Sequence, residues 1–98
     1  MTFDETIHAP NRLRICAMLA PAVDVEFTTL REELGVADSV LSKHLKVLQD
    51  AGYITLKKPT GSGRVRTWVR LTNNGRKAFE GHLNELRRLT DLASANDS

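Results

Sequence analysis

Val36 to Tyr53 reads V-A-D-S-V-L-S-K-H-L-K-V-L-Q-D-A-G-Y, and this stretch decides how the rest of the chain is read. Asp38 or Ser39 can accept a hydrogen bond from an unpaired amide of a first helical turn, and Gly52 can take the left-handed conformation that closes a helix. About three and a half turns lie between them. Leu41, Leu45 and Leu48 recur at i, i+4 and i+7, which places them on one stripe and gives the helix a side to bury. The other side carries Ser39, Ser42, Lys43, Lys46 and Gln49, hydroxyl, ammonium and amide groups that suit phosphates and base edges if this face enters a groove. A merely solvated helix face carries the same residue types, so the neighbours must decide between the two readings.

On the N-terminal side, Thr28 or Thr29 can cap a short helix, and Thr29-Leu30-Arg31-Glu32 has the spacing of a capping box. Leu30 and Leu34 supply its core contacts and Gly35 ends it, so only Gly35, Val36 and Ala37 separate it from the helix above. A short helix, a tight turn with glycine and a longer helix with a polar outer face form a helix-turn-helix, which inserts its second helix in the DNA major groove. Upstream, Val23 to Phe27 alternates as a short strand that points Val23, Val25 and Phe27 one way. Before it, a mostly buried helix runs from Asn11 to Pro21, with Leu13, Cys16, Ala17 and Ala20 at helical steps. Pro10 separates it from a short turn holding Phe3 and Ile7.

After Gly52 the period changes from helical to alternating. Tyr53 to Lys57 and Val65 to Leu71 read as strands joined by Pro59-Thr60-Gly61-Ser62-Gly63, a β-hairpin whose basic tip carries Arg64 and whose second strand turns Arg66, Trp68 and Arg70 away from Val69 and Leu71. A last helix starts at a Thr72 cap and runs to about Ala93, with Phe79, Leu83 and Leu86 along one stripe. About twenty helical residues span about 30 Å, the width of a small domain. Part of the stripe therefore extends past the chain's own core, and a symmetry mate would bury it.

Charge distribution favours a polyanion. The net charge is only +2, but residues 1–37 hold three basic and six acidic side chains, Asp38 to Arg76 eight basic and two acidic, and residues 77–98 three basic and four acidic. The 98 residues fit one domain, 1–98, and contain no apolar run of the roughly 18 residues a membrane span needs. The opening Met-Thr-Phe-Asp-Glu is acidic where a signal peptide is basic, which points to a cytoplasmic address. Cys16 is the only cysteine, so no internal disulfide forms; its place on an apolar surface suggests a small buried hydrophobe, with a redox role left open. Three scattered histidines make no metal-ligand pattern, and no nucleophile, base or glycine-rich phosphate loop can be paired, so neither cofactor, metal nor catalysis is expected.

The order helix, helix, helix, hairpin, helix resembles the bacterial winged-helix regulators of the MarR and ArsR type, from about Asn11 to Ala93. The resemblance is carried by N-R-L-R-I, F-T-T-L-R-E-E-L-G-V, S-V-L-S-K-H-L-K-V-L-Q-D-A-G-Y-I and R-T-W-V-R-L-T-N-N-G-R-K-A-F, and is strongest in L-S-K-H-L-K-V-L followed by A-G-Y-I. It is nearest to a compact single-domain group, mainly α with a small β-hairpin: a three-helix core, a β wing and a long C-terminal helix. The resemblance implies a homodimeric transcriptional regulator, most simply a repressor, on a pseudo-palindromic operator in double-stranded DNA. Residue by residue, the recognition-helix positions fall on Ser39, Ser42, Lys43 and Lys46 and the wing arginine on Arg64, with Arg66 beside it. The pairing surface is expected on the helix at about 72–93, through Phe79, Leu83 and Leu86, with Phe3 and Ile7. Departures also count: cysteine-based metal sensors of this kind need at least two thiolates, only His82 lies on the last helix, and MarR-type proteins commonly hold a small phenolic or oxidisable ligand near the dimer interface, but this chain lacks their usual additional helices. An effector is left open, and the alternative function is a winged-helix protein-interaction module that does not bind DNA.

Overall fold

The computed structural model describes residues 3–58 and 66–95. Its elements are α1 (Glu5–His8), α2 (Pro10–Leu19), β1 (Val25–Glu26), α3 (Phe27–Leu34), α4 (Asp38–Asp50), β2 (Ile54–Lys57), β3 (Trp68–Leu71) and α5 (Asn73–Ala95). This is the expected winged-helix order, with one addition: β1 joins the hairpin as an edge strand, giving an antiparallel sheet in the order β1-β3-β2. β2 and β3 pair from Ile54 opposite Leu71 to Lys57 opposite Trp68, and β1 pairs Val25 with Val69 and Glu26 with Trp68.

The predicted stripe of α4 is the centre of the core. Leu41, Leu45 and Leu48 are buried with Ile15, Leu19, Leu30, Leu34, Ile54, Val69 and Leu71. Each fully buried aliphatic side chain contributes about 1.5–3 kcal/mol. The end of α4 also forms as expected. Gly52 has a φ of 79°, its N–H reaches the Gln49 carbonyl at 2.9 Å, and the Tyr53 N–H reaches the Leu48 carbonyl at 3.0 Å, a Schellman closure. Gly35, with a φ of 67°, ends α3 in the same left-handed conformation.

Several local details differ from the sequence expectation. Pro10 does not interrupt a helix but opens α2, at the first helical position where a missing N–H costs nothing. The buried face of α2 is Ile15, Cys16 and Leu19, while Ala17 is exposed. α1 is capped by Asp4, whose Oδ1 accepts the Ile7 N–H at 3.1 Å, and Phe3 precedes it. β1 comprises only the two residues that find partners on β3; Val23 is 71% exposed and Phe27 opens α3. Because α3 starts at Phe27, Thr29 is already inside the helix and the capping box does not form. α4 likewise has Ala37 at its cap, and Asp38 stands in the first turn, where its charge complements the helix dipole.

Thr72 caps α5 as expected: its Oγ1 accepts the Gly75 N–H at 2.9 Å and donates to the Gly52 carbonyl at 2.7 Å, joining the start of α5 to the end of α4. α5 has 23 residues, about 34 Å of helix. Gly75, Phe79, His82 and Glu85 are buried, and every described residue from Arg87 onward is exposed, so its second half leaves the core.

Candidate nucleic-acid interface

Packing fixes which side of α4 faces out. With Leu41, Leu45 and Leu48 inward, Ser39, Ser42, Lys43, Lys46 and Gln49 are all exposed, on the second helix of a helix-turn-helix formed by α3, Gly35 to Ala37 and α4. At about 100° per residue, Ser42 and Gln49 lie on one flank of this face and Val40 and Val47 on the other. The two valines, 40% and 36% exposed, are apolar surface that the polar-face reading of the sequence passed over.

Ion pairs set the charge available on this surface. Arg31 on α3 donates to the Asp38 carboxylate at 2.9 Å and bridges the two helices across the turn. Lys46 meets Asp50 one turn later at 3.1 Å, while Lys43 makes no ion pair among the described residues. His44 sits half-buried, with its Nδ1 3.3 Å from an Arg12 guanidinium nitrogen. Burial, with the charges of Arg12 and Lys43, holds its imidazole below the ordinary histidine range, so a neutral ring is favoured.

The hairpin contributes on the Ser42 flank. Phe27, Leu45 and Leu56 floor an open groove of about 370 Å³ between α4 and the base of the hairpin, and Ser42, Lys46, Gln49, Lys58 and Thr67 edge it. Two ammonium groups with hydroxyls and an amide around a shallow depression suit a phosphate. Lys58 and Thr67 were not singled out in the sequence, because only the register of β2 and β3 brings them beside Lys46. Arg66 is exposed and 3.7 Å from Glu26, and Arg70 is held by both Asp24 oxygens at 3.0 Å. The 59–65 tip, with Arg64, lies outside the described residues. An exposed ion pair such as Arg66 with Glu26 contributes little on its own and exchanges readily for another anion.

The residues expected at a pairing surface divide by burial. Ile7 and Phe79, 0% and 6% exposed, belong to this chain's own core, because α1 folds back on α2 and α5. Leu83 and Leu86 are half-buried, and Phe3, Leu89 and Leu92 are exposed. Cys16 is fully buried, and burial, followed by the nearby Asp4 charge, pushes its thiol up to about 12. Among the described residues, no three His, Cys, Asp or Glu side chains are grouped to hold a metal, and no helix is long and apolar enough to cross a membrane.

Comparison with known proteins places this geometry in a family. The family model for the winged helix DNA-binding domain matches residues 11–90. An uncharacterized protein of Methanocaldococcus jannaschii is 38% identical over 79 residues, 81% of this chain and 86% of that protein. YdgJ of Bacillus subtilis, described as an uncharacterized HTH-type transcriptional regulator, is 27% identical over 88 residues, 90% of this chain but only 53% of the longer relative. Among solved structures, a transcriptional regulator homologue from Pyrococcus horikoshii superposes with a TM-score of 0.83 at 26% identity, covering 90% of this chain and 87% of the other. With the match spanning all three core helices, the sheet and most of α5, the chain belongs to the winged-helix DNA-binding family of transcriptional regulators, as its resemblance to the MarR and ArsR type implied.

Proposed function

We propose that this chain, as one winged-helix domain over residues 1–98, is a sequence-specific DNA-binding regulator that acts as a homodimer in the cytoplasm, most simply as a repressor. The observation that carries this reading is the exposed Ser39, Ser42, Lys43, Lys46 and Gln49 face, joined without a break to the lysine-edged groove beside the hairpin. Ser39, Ser42 and Lys43, nearest the start of α4, read base edges; Val40 beside them suits a thymine methyl. Lys46, Lys58 and Thr67 hold a backbone phosphate in the groove, and Arg64 and Arg66 extend the contact along the wing. Pairing of two chains through the outer half of α5 sets two such helices about 34 Å apart, in successive major grooves.

Selection of duplexes from a random pool tests the reading directly. A palindromic motif with half-sites about one helical turn apart is the expected result. Replacing Lys46 by Ala should then lower the slope of log K against log salt by about 0.9 for the lost phosphate contact. Failure to retain any duplex at low salt would favour the protein-interaction module instead.

A further inference from the structure

One chain of hydrogen bonds runs from the end of α4 to the middle of α5 through residues far apart in sequence. The Tyr53 hydroxyl donates to Asp4 Oδ2 at 2.6 Å, the Asp4 backbone N–H donates to His82 Nδ1 at 3.1 Å, and His82 Nε2 lies 3.1 Å from His8 Nδ1. His82 is fully buried, and the Phe3 ring packs at a tilt against His8 and edge-on against His82, with centroid distances of 4.4 and 4.9 Å.

The Asp4 N–H contact assigns the donor and acceptor roles along this chain. A backbone N–H only donates, so His82 Nδ1 is unprotonated and its hydrogen is on Nε2. That hydrogen points at His8 Nδ1, which must therefore be unprotonated too. The chain closes only while both rings are neutral. A proton added to His82 sets an N–H against the Asp4 N–H; one added to His8 Nδ1 sets it against the His82 N–H.

We propose that Tyr53, Asp4, His82 and His8 form a proton-sensitive latch that fixes the end of the recognition helix against α5 while both imidazoles are neutral and releases it in acid. Tyr53 is placed to transmit the change. Its N–H completes the closure of α4 at Leu48, and its carbonyl accepts the Thr72 N–H at 2.9 Å at the root of α5. Losing its hold on Asp4 frees α4 to tilt relative to the helix proposed to pair the dimer. The effect on DNA rests on the proposed function, whereas the latch itself does not.

The charged groups around the rings set the direction. Asp4 and Glu85 favour an imidazolium at His82, but Glu85 is engaged by Arg88 on α5 at 2.6 Å. From α2, Arg12 is turned to the Thr6 carbonyl and His44, and Cys16 remains a neutral thiol; Tyr53, after α4, is a neutral phenol. Burial, followed by the neighbouring His8 imidazole, prevails and holds His82 below the ordinary histidine range. The unfolded chain thus takes the proton first. The latch is at full strength above about pH 6.5 and is lost as pH falls from there through the lowered folded value.

The test uses the full chain, by NMR and by DNA binding at fixed salt. Between about pH 8 and 5, the Asp4, Gly52 and Tyr53 amide signals are expected to move with the same midpoint as the His82 imidazole, and affinity for a selected duplex should fall about threefold or more. His44, also held below the ordinary histidine range, would act in the opposite direction on gaining charge. Tyr53→Phe should leave the His82 titration in place but disconnect the Gly52 amide from it. In His8→Gln with His82→Gln, amides that donate and accept without titrating, the weakening of binding in acid should disappear, leaving only the opposite effect of His44. A His82 ring that stays neutral to pH 5, amides of Gly52 and Tyr53 that ignore it, or an unchanged pH dependence in the double variant would each overturn the latch. Coupled amides without any duplex bound would support the latch and overturn the DNA reading.

Discussion

Gly75, in the first turn of α5, lies against the main-chain carbonyl of Tyr53, where the end of α4 meets the start of α5; a Cβ built on it would overlap that oxygen and come within 2.9 Å of the Leu71 side chain. The carbonyl cannot step aside easily, since it accepts the Thr72 N–H while the Tyr53 N–H is committed to Leu48. Alanine is the better helix former by about 1 kcal/mol, but overpacking costs about 1–3 kcal/mol. Gly75→Ala should therefore lower the urea midpoint. Gly81, also in α5, has nothing among the described residues within 4 Å of its Cβ position, and Gly81→Ala should raise the midpoint, adding up to about 1 kcal/mol of stability. Equal effects at the two sites would show that the Tyr53 contact relaxes.

The Lys46 ammonium is shared with Asp50 at 3.1 Å, and both side chains are well exposed. Such a pair adds little to folding, so Asp50→Asn should shift stability by no more than about 0.5 kcal/mol. If Lys46 holds a phosphate, removing its internal competitor frees the charge. Binding of a selected duplex, followed by fluorescence anisotropy, should tighten, with a salt slope steeper by up to about 0.9. Weaker binding would mean that Asp50 orients the lysine rather than competing for it.

Period and stop signals make the centre of this fold legible in the sequence. Leu41, Leu45 and Leu48 repeat at helical spacing between two glycines, and those glycines do take positive φ. Helix starts were less legible, because Thr28, Thr29, Asp38 and Ser39 all offer capping oxygens and the choice was made by tertiary contacts, Phe27 toward the core and Arg31 toward Asp38. The lysine-edged groove was legible only in half. Lys46 and Ser42 declare themselves on a helix face, but Lys58 and Thr67 reach them through strand register, which a sequence does not spell out. His82 carried no local signal at all: a lone histidine in a polar stretch is buried here because Asp4 and His8, more than seventy positions earlier, supply its hydrogen bonds.

Cys16 and Tyr53 are both acids held neutral by the fold. Burial raises the thiol from 9.0 to about 12, and donation to Asp4, followed by burial, raises the phenol from 10.0 to about 12. In each case the unfolded chain releases the proton first, so their contribution is complete below about pH 9 and is lost as pH rises toward 12. Urea midpoints should accordingly fall between about pH 8.5 and 10.5, less steeply in Cys16→Ala, whose own cost is a small cavity. At about pH 8 the native thiol should react with a disulfide reagent no faster than the chain opens. Prompt reaction would make Cys16 an accessible redox site instead.

Pairing through α5 can be tested without disturbing the fold, because burial separates the two roles of its apolar residues. Phe79 is core, and Leu83 packs partly against that core, so glutamate at either position would confuse loss of pairing with loss of folding. Leu89 and Leu92 are 42% and 57% exposed, and no described residue from Arg87 onward is buried. Leu89→Glu with Leu92→Glu should keep the urea midpoint of the isolated fold yet halve the mass seen by sedimentation. Binding to a palindromic duplex should weaken sharply, because one α4 then engages one half-site with no partner held beside it. A dimer that survives this double change would place the twofold contact away from the outer half of α5, with exposed Phe3 the next apolar position to alter.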